Sequence, residues 1–347
     1  MCSHTDFQKY SYLYDCKTNI QTKYRSLSHL LGIDIGGTSV KLGLVRTNGQ
    51  IIDRQAFPTQ SIESVNHFLD VLSLQINQLL GRHAAHQQDL LGIGIGAPGH
   101  SLDSGVIIDA VNLPFKEGIP VGPYLERTFQ TPSFLIKDSK AAALGERYWG
   151  SGKSIDNFVL LMLGTGLGYA AYSDGKIING TNGLAGELGH IIFQMDGRPC
   201  NCGKKGCLET YLSATGLKRT AYELLGRDNR PSLLRAYSYQ ELSPKLIAQL
   251  AEKGDGIAKA AFDLTGRYLG IQMANLTEQI TPSLFIIAGG LAKAGNLLLE
   301  PAMQTLRDNV QPIYRDRISI TRSTLGASEV GILGAAALAL NNIILQS

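Results

Sequence analysis

Two stretches decide the fold: Leu30-Leu31-Gly32-Ile33-Asp34-Ile35-Gly36-Gly37-Thr38, and Phe158-Val159-Leu160-Leu161-Met162-Leu163-Gly164-Thr165-Gly166 about 130 residues further on. In each, an apolar run of strand length stops at a glycine-rich turn. The segments beyond the two turns also share one grammar. After Thr38, an alternating run, Val40–Val45, meets the hairpin signal Thr47-Asn48-Gly49 and returns as Gln50–Ala56. After Gly168, Tyr169–Tyr172 meets Ser173-Asp174-Gly175 and returns as Lys176–Asn179. A duplicated strand–turn–strand unit with helices between predicts two similar α/β lobes facing each other across a cleft.

Between the copies, the pattern predicts a helix over Ser61–Leu80 and a buried strand, Leu91–Ile95, running into Gly96-Ala97-Pro98-Gly99. A short strand, Ser133–Ile136, ends at Lys137-Asp138, where a helix from Ser139 to Trp149 starts. Beyond the second copy, Tyr211 to Met273 reads as largely helical. A strand at Leu284–Ile287 meets Ala288-Gly289-Gly290, and an alanine-rich helix runs from Gly331 to about Asn341. Residues 1–29 form an extension, with an amphipathic pattern near Tyr10–Tyr24. The expected division is a small lobe of 30–139 with 331–347, and a large lobe of 140–330 that carries a metal loop at 190–207. The last helix then packs back on the first lobe.

Hydrophobic residues make up 44% and charged residues 18% of the 347, enough apolar material for a core in each lobe. The net charge of +3 is dispersed, which argues against a nucleic-acid partner. No run approaches the roughly 18 apolar residues of a membrane helix, and the polar N-terminus lacks the apolar core of a signal peptide. The expectation is a cytoplasmic protein with no membrane partner. Of five cysteines, Cys2 and Cys16 read as free thiols. Cys200, Cys202 and Cys207 are crowded together, which in a reducing compartment points to metal ligation rather than disulfides.

Three constellations carry chemistry. Gly36 and Gly37 let backbone N–H groups approach phosphate oxygens, and Asp34 can hold a metal-bound water beside them. No Gly-Lys-Ser/Thr comes after them, so this is not a Walker loop. Either glycine turn alone is also what a plain hairpin needs; as a mirrored pair they can clamp a polyphosphate. Gly289-Gly290 suits the wall of an adenosine pocket, or a packing turn. Asp138, between strand and helix, is a helix N-cap or a base that takes a proton from an attacking hydroxyl. His190, Cys200, Cys202 and Cys207 have the composition of a closed tetrahedral zinc site with a structural role. A metal-bound histidine presents its other ring nitrogen as a donor. Glu187 and Glu209 flank the loop as acceptors for sugar hydroxyls, or as ordinary surface carboxylates.

These residues resemble the ROK family of sugar kinases and sugar-responsive repressors, and its bacterial glucokinases in pattern. The likeness rests on Leu31–Thr38, Gly92–Gly99, Asn112–Phe115, Asp138 with Ala141–Glu146, Gly164–Gly166, Gly186–His190 and the Cys200–Glu209 loop, in the family order from about 30 to 340. The resemblance implies an actin-like (ribonuclease H-like) duplicated fold with ATP and sugar in the inter-lobe cleft. It implies Asp138 as the base that deprotonates a hexose 6-hydroxyl, glucose favoured. Gly99, Asn112, Lys137, Glu187, His190 and Glu209 match sugar-binding positions. Asp34, Gly36, Gly37, Thr38, Gly164, Thr165 and Gly166 match the phosphate and Mg2+ region, and Gly289 and Gly290 the adenosine loop. A homodimer is implied in the same way.

One departure stands out. The family usually reads Asn-Asp-Ala-Asn where this chain reads Lys137-Asp138-Ser139-Lys140. Lysine only donates hydrogen bonds, whereas asparagine also accepts. Lys137 can pair with Asp138 and weaken it as a base, or favour an anionic substrate. N-acetylglucosamine, N-acetylmannosamine, mannose and fructose remain alternative substrates. A catalytically weak sugar-binding protein is a further alternative, as is a regulator without its DNA-binding domain, since residues 1–29 are too few for a winged helix-turn-helix.

Overall fold

The computed structural model describes residues 29–59, 62, 64–83, 89–101, 104–110, 113–115 and 117–346. The helical pattern near Tyr10–Tyr24, Cys2, Cys16 and Asn112 lie outside the described residues. Contacts divide the chain into two compact units. One ends at Trp149 and resumes at Ser328; the other is Gly150–Ala327.

In the first unit, β1 (His29–Ile35), β2 (Ser39–Arg46) and β3 (Ile51–Pro58) form an antiparallel meander. Helix α1 (Val65–Arg82) starts at Ser64, whose hydroxyl accepts the His67 N–H at 3.2 Å. Its buried Phe68, Leu69, Leu72, Ile76 and Leu79 recur at helical spacing on the core face. Strand β4 (Leu90–Ala97) pairs in parallel with β1; β5 (His100–Ser101) and β6 (Ile107–Ile108) form a small ribbon. Then come α2 (Val121–Phe129), β7 (Ser133–Lys137), parallel to β4, and α3 (Asp138–Trp149). The sheet order is β3-β2-β1-β4-β7.

The second unit repeats the plan. Its meander is β8 (Phe158–Leu163), β9 (Leu167–Ser173) and β10 (Lys176–Ile177). Helices α4 (Ala214–Arg227), α5 (Pro244–Glu252) and α6 (Gly256–Ile280) come next, each opened by a side-chain cap from Ser213, Ser243 or Asp255. Strand β11 (Leu284–Ala288) pairs in parallel with β8, then α7 (Asn296–Asn309) leads to β12 (Ser319–Arg322), which pairs in parallel with β11. The order is β10-β9-β8-β11-β12, a meander plus two parallel strands as before. The sequence pattern passes over β12, which is four residues long and largely exposed.

The final helix, α8 (Val330–Gln346), belongs to the first unit and lies on its sheet. Glycine is required where it does so. A Cβ on Gly94 would strike the Ala335 carbonyl, and one on Gly32 would strike that of Ile332. Without them, the backbone of the helix seats directly on β1 and β4. The division expected at residue 139 gives α3 to the second lobe, but packing gives it to the first. Gly334 of α8 lies against the backbone of Ala141, so the two helices meet with no side chain between them.

Candidate active site and metal centre

Parallel pairing brings three strand ends of the first unit together. Asp34 on β1 is in register with Gly96 on β4, and Ala97 with Lys137 on β7. A Cβ on Gly96 would lie 3.7 Å from the Asp138 Cα. Asp34, Lys137 and Asp138 therefore share the carboxyl-terminal edge of one sheet, where open α/β sheets carry their ligands. The Asp34 side chain is largely buried, with Lys41 Nζ 3.5 Å from Oδ2. Burial raises its pKa above the ordinary carboxylate value, and Lys41 opposes the shift. Gly331, in the first turn of α8, abuts the Asp34 carboxylate where a side chain would collide. The Gly36–Thr38 turn is held by buried Thr59, whose hydroxyl donates to the Gly36 carbonyl at 2.8 Å and whose N–H donates to that of Thr38 at 3.0 Å.

Asp138 is the first residue of α3, and its Oδ1 accepts the Ser139 N–H at 2.6 Å. Lys137 is half-buried beside it, while Lys140 is buried within α3. Gly99 has φ +80° and packs against Ala110.

In the second unit, the Gly164–Gly166 turn closes on itself through Gly164 N–H to Gly166 O at 3.1 Å. The first turn of α4 holds it: Ala214 N–H donates to Gly164 O at 2.8 Å, and Thr215 Oγ1 to Thr165 O at 3.0 Å. A Cβ on Gly289 would lie 2.5 Å from the Leu163 carbonyl oxygen, so the second glycine turn and the Gly289-Gly290 turn are neighbours.

His190, Cys200, Cys202 and Cys207 converge, with their ligand atoms all within 4.8 Å of one another. Cys202 and Cys207 sulfurs are 3.6 Å apart, and Cys200 Sγ is 3.7 Å from His190 Nδ1. A tetrahedral zinc with bonds of about 2.3 Å to sulfur and 2.0 Å to nitrogen has edges of about 3.8 and 3.5 Å, so the donor set fits that ion. Burial pushes the Cys200 thiol up to about 12, a penalty that metal binding would reverse. A tight knuckle makes the cluster: Cys200 N–H donates to Lys204 O and Gly203 N–H to Cys200 O. Lys204 Nζ caps the His190 carbonyl at 2.8 Å. With Nδ1 at the sulfurs, His190 keeps Nε2 for another partner.

Glu209 joins these features. Its Oε1 is 3.3 Å from Cys200 Sγ and 3.8 Å from His190 Nδ1. A Cβ on Gly166 would lie 2.6 Å from its Oε2. The cysteine loop and the second glycine turn thus meet at one carboxylate. Glu187 opens the 3₁₀ turn Leu188–His190, and the His190 N–H donates to the Glu187 carbonyl at 3.0 Å.

Sequence reasoning missed Lys41 and Gly331 at Asp34, and Arg198 behind the metal loop. Hairpin register would have found Lys41, since Asp34 and Lys41 are cross-strand partners. No local signal marks Gly331, which reaches Asp34 from the far end of the chain.

The chain belongs to the ROK family, which it matches over residues 30–342. It is 36% identical to a glucokinase of Halalkalibacterium halodurans over 307 residues, 88% of this chain and 92% of that one. A ROK glucokinase from Streptomyces griseus, solved with glucose and AMPPNP, superposes with a TM-score of 0.75 at 29% identity, covering 90% of this chain and 99% of that one. A ROK transcriptional regulator, a homologue of the E. coli MLC protein, superposes at 0.81 with 26% identity, covering 91% of this chain and 78% of that one. The fold is the duplicated actin-like ATPase fold of ROK kinases. Among the described residues, no helix is long and apolar enough to cross a membrane.

Proposed function

We infer that this chain is an ATP-dependent kinase that phosphorylates a hexose, glucose foremost, at its 6-hydroxyl. The observation that carries the reading is Glu209, which touches both the His190–cysteine cluster and the Gly164–Gly166 turn. A sugar-reading carboxylate and a phosphate-binding turn then form one continuous surface. The similarity to glucokinases, one of them holding glucose and an ATP analogue, supports the same reading.

In this assignment, Asp138 accepts the proton of the sugar hydroxyl as its oxygen bonds to the γ-phosphorus and the bond to ADP breaks. Glu187, Glu209 and the free nitrogen of His190 bind sugar hydroxyls, as do Asn112, Lys137 and the backbone at Gly99. The Gly36–Thr38 and Gly164–Gly166 turns bind phosphate oxygens through N–H groups other than those of Gly36 and Gly164, which close the turns themselves, and Gly289-Gly290 lines the adenosine position. Asp34 would hold magnesium through bound water, and the ion would neutralise phosphate charge. Zinc, held by His190 and the three cysteines, supplies rigidity and fixes the imidazole tautomer. Such thiolates suit a reducing, cytoplasmic setting.

Lys137 bears on substrate choice. A lysine at a sugar-reading position donates but does not accept, and it favours hexoses whose facing group is an acceptor or an anion. The test is ADP production with ATP, magnesium and a panel of hexoses, amino sugars and acidic sugars. Turnover stimulated most by glucose is expected. Sugar binding without turnover across the whole panel would replace the kinase with a sugar-responsive binding protein.

A further inference from the structure

Arg198 makes every hydrogen bond that a guanidinium can donate. Nε and Nη2 grip Glu223 of α4 as a fork, each at 2.8 Å. Nη1 donates to the carbonyls of Thr210 at 2.7 Å and Gly216 at 3.2 Å, and Nη2 also to Thr220 Oγ1 at 3.0 Å. Five donors, five acceptors: none remains for solvent or ligand. The group lies 4.5 Å from the Tyr211 ring centroid, and its own backbone N–H donates to the Tyr211 hydroxyl at 2.8 Å. Tyr211 packs in turn against Phe193 and Tyr268.

What this assembly holds is the 3₁₀ turn Leu208–Thr210, which carries Glu209. Cys207 fixes the turn from its N-terminal side, through the metal cluster. On the C-terminal side, Ser213 Oγ donates to the Glu209 carbonyl at 2.6 Å, and Arg198 binds the next carbonyl. Thr210 is buried, so no water replaces the guanidinium there. The other acceptors are less dependent on Arg198. Glu223 is substantially exposed, and Gly216 O also accepts from Thr220 Oγ1. A bidentate Arg–Glu pair used only for stability would not need the Thr210 bond.

We propose that Arg198 is a positioning residue for sugar binding: it ties the Glu209 turn to α4 and so aims the carboxylate independently of the metal. The proposal rests on the reading of Glu209 as a sugar ligand. A lysine in its place reaches one acceptor at a time and has no planar fork.

The test uses full-length, zinc-loaded protein carrying Arg198→Met, Arg198→Lys or Glu223→Gln. For each, zinc per chain, kcat, and KM for sugar and for ATP are measured. Arg198→Met is expected to raise the sugar KM by about tenfold or more, with zinc content, ATP KM and kcat close to wild type. Arg198→Lys should recover part of the loss. Glu223→Gln, which keeps the Thr210 bond, should show the smallest rise. An unchanged sugar KM in Arg198→Met overturns the proposal, as does a rise that comes only with lost zinc or with a parallel change in ATP KM and kcat. Should Arg198→Met fail to fold, unchanged sugar KM in the other two variants overturns it equally. If the wild type shows no sugar-stimulated turnover, the kinase reading falls separately. Sugar-binding isotherms of the same variants then decide the role of Arg198.

Discussion

The two meanders share a strand order but not a chemistry at their turns. In the first, Ile35 pairs with Val40 across the turn, and the cross-strand pair before it is Asp34 with Lys41. In the second, Leu163 pairs with Leu167 across a turn one residue shorter, and the preceding pair is Met162 with Gly168. The first turn therefore carries a buried carboxylate with a cation beside it. The second has no ionisable side chain of its own, and its charge comes from Glu209 on the cysteine loop. Duplication supplied one scaffold twice. The ionisable groups differ in origin: strand ends carry them in the first unit, and the loop between β10 and α4 carries them in the second.

The sharpest way to break this division of labour is Asp138→Asn. If the first unit holds the base, sugar-stimulated ADP production should fall by about 10²–10⁴-fold, the range for loss of a general base. Sugar affinity measured by calorimetry should be largely retained. A variant with near-normal turnover would remove Asp138 from the chemistry and return it to a helix cap.

Cys202→Ser tests the other side. Bound zinc, measured by elemental analysis, should drop well below the wild-type content, and the melting temperature should fall with it, since metal-binding energy is folding energy. Unchanged zinc would mean the four side chains are not the ligand set.

Gly94→Ala addresses the scaffold. The added methyl would fall on the α8 backbone at Ala335, so a loss of about 1–3 kcal/mol in urea unfolding is expected. The matching strand of the second unit, β11, carries Leu284, Phe285, Ile286 and Ile287 and has no such constraint.

The smallest effect concerns Asp34. Its folded pKa is raised, so the charged form is disfavoured in the fold, and the cost sets in as pH rises above the unfolded carboxylate value. In metal-free protein, Asp34→Asn should therefore melt higher than wild type near pH 7, and the difference should shrink as pH falls through the acid range. A constant difference across pH would place the effect in packing rather than charge.

Much of the fold was legible in the chain. Apolar runs stopping at glycine turns located β1 and β8, and the segments beyond those turns located β2 and β9, to within a few residues, because a buried strand needs uninterrupted apolar side chains and a turn against it needs glycine. The convergence of His190 with the three cysteines was equally legible, because such residues crowded into one loop have few uses other than a shared site. Where α3 packs was not. Ala141, Ala142 and Ala143 read as helix whichever unit they face, and only Gly334, almost two hundred residues away, settles it.

By itself, then, the sequence determined the duplication, the two glycine turns and the Cys/His cluster, all encoded by neighbours along the chain. Tertiary structure decided which distant groups meet: Asp34 with Gly331, Glu209 with Gly166, and Arg198 with Thr210 and Glu223. Those contacts depend on strand register and helix seating, which no local pattern specifies. Arg198 is the clearest case. In the chain it is one arginine shortly before a cysteine; in the fold it is the partly buried centre of five hydrogen bonds.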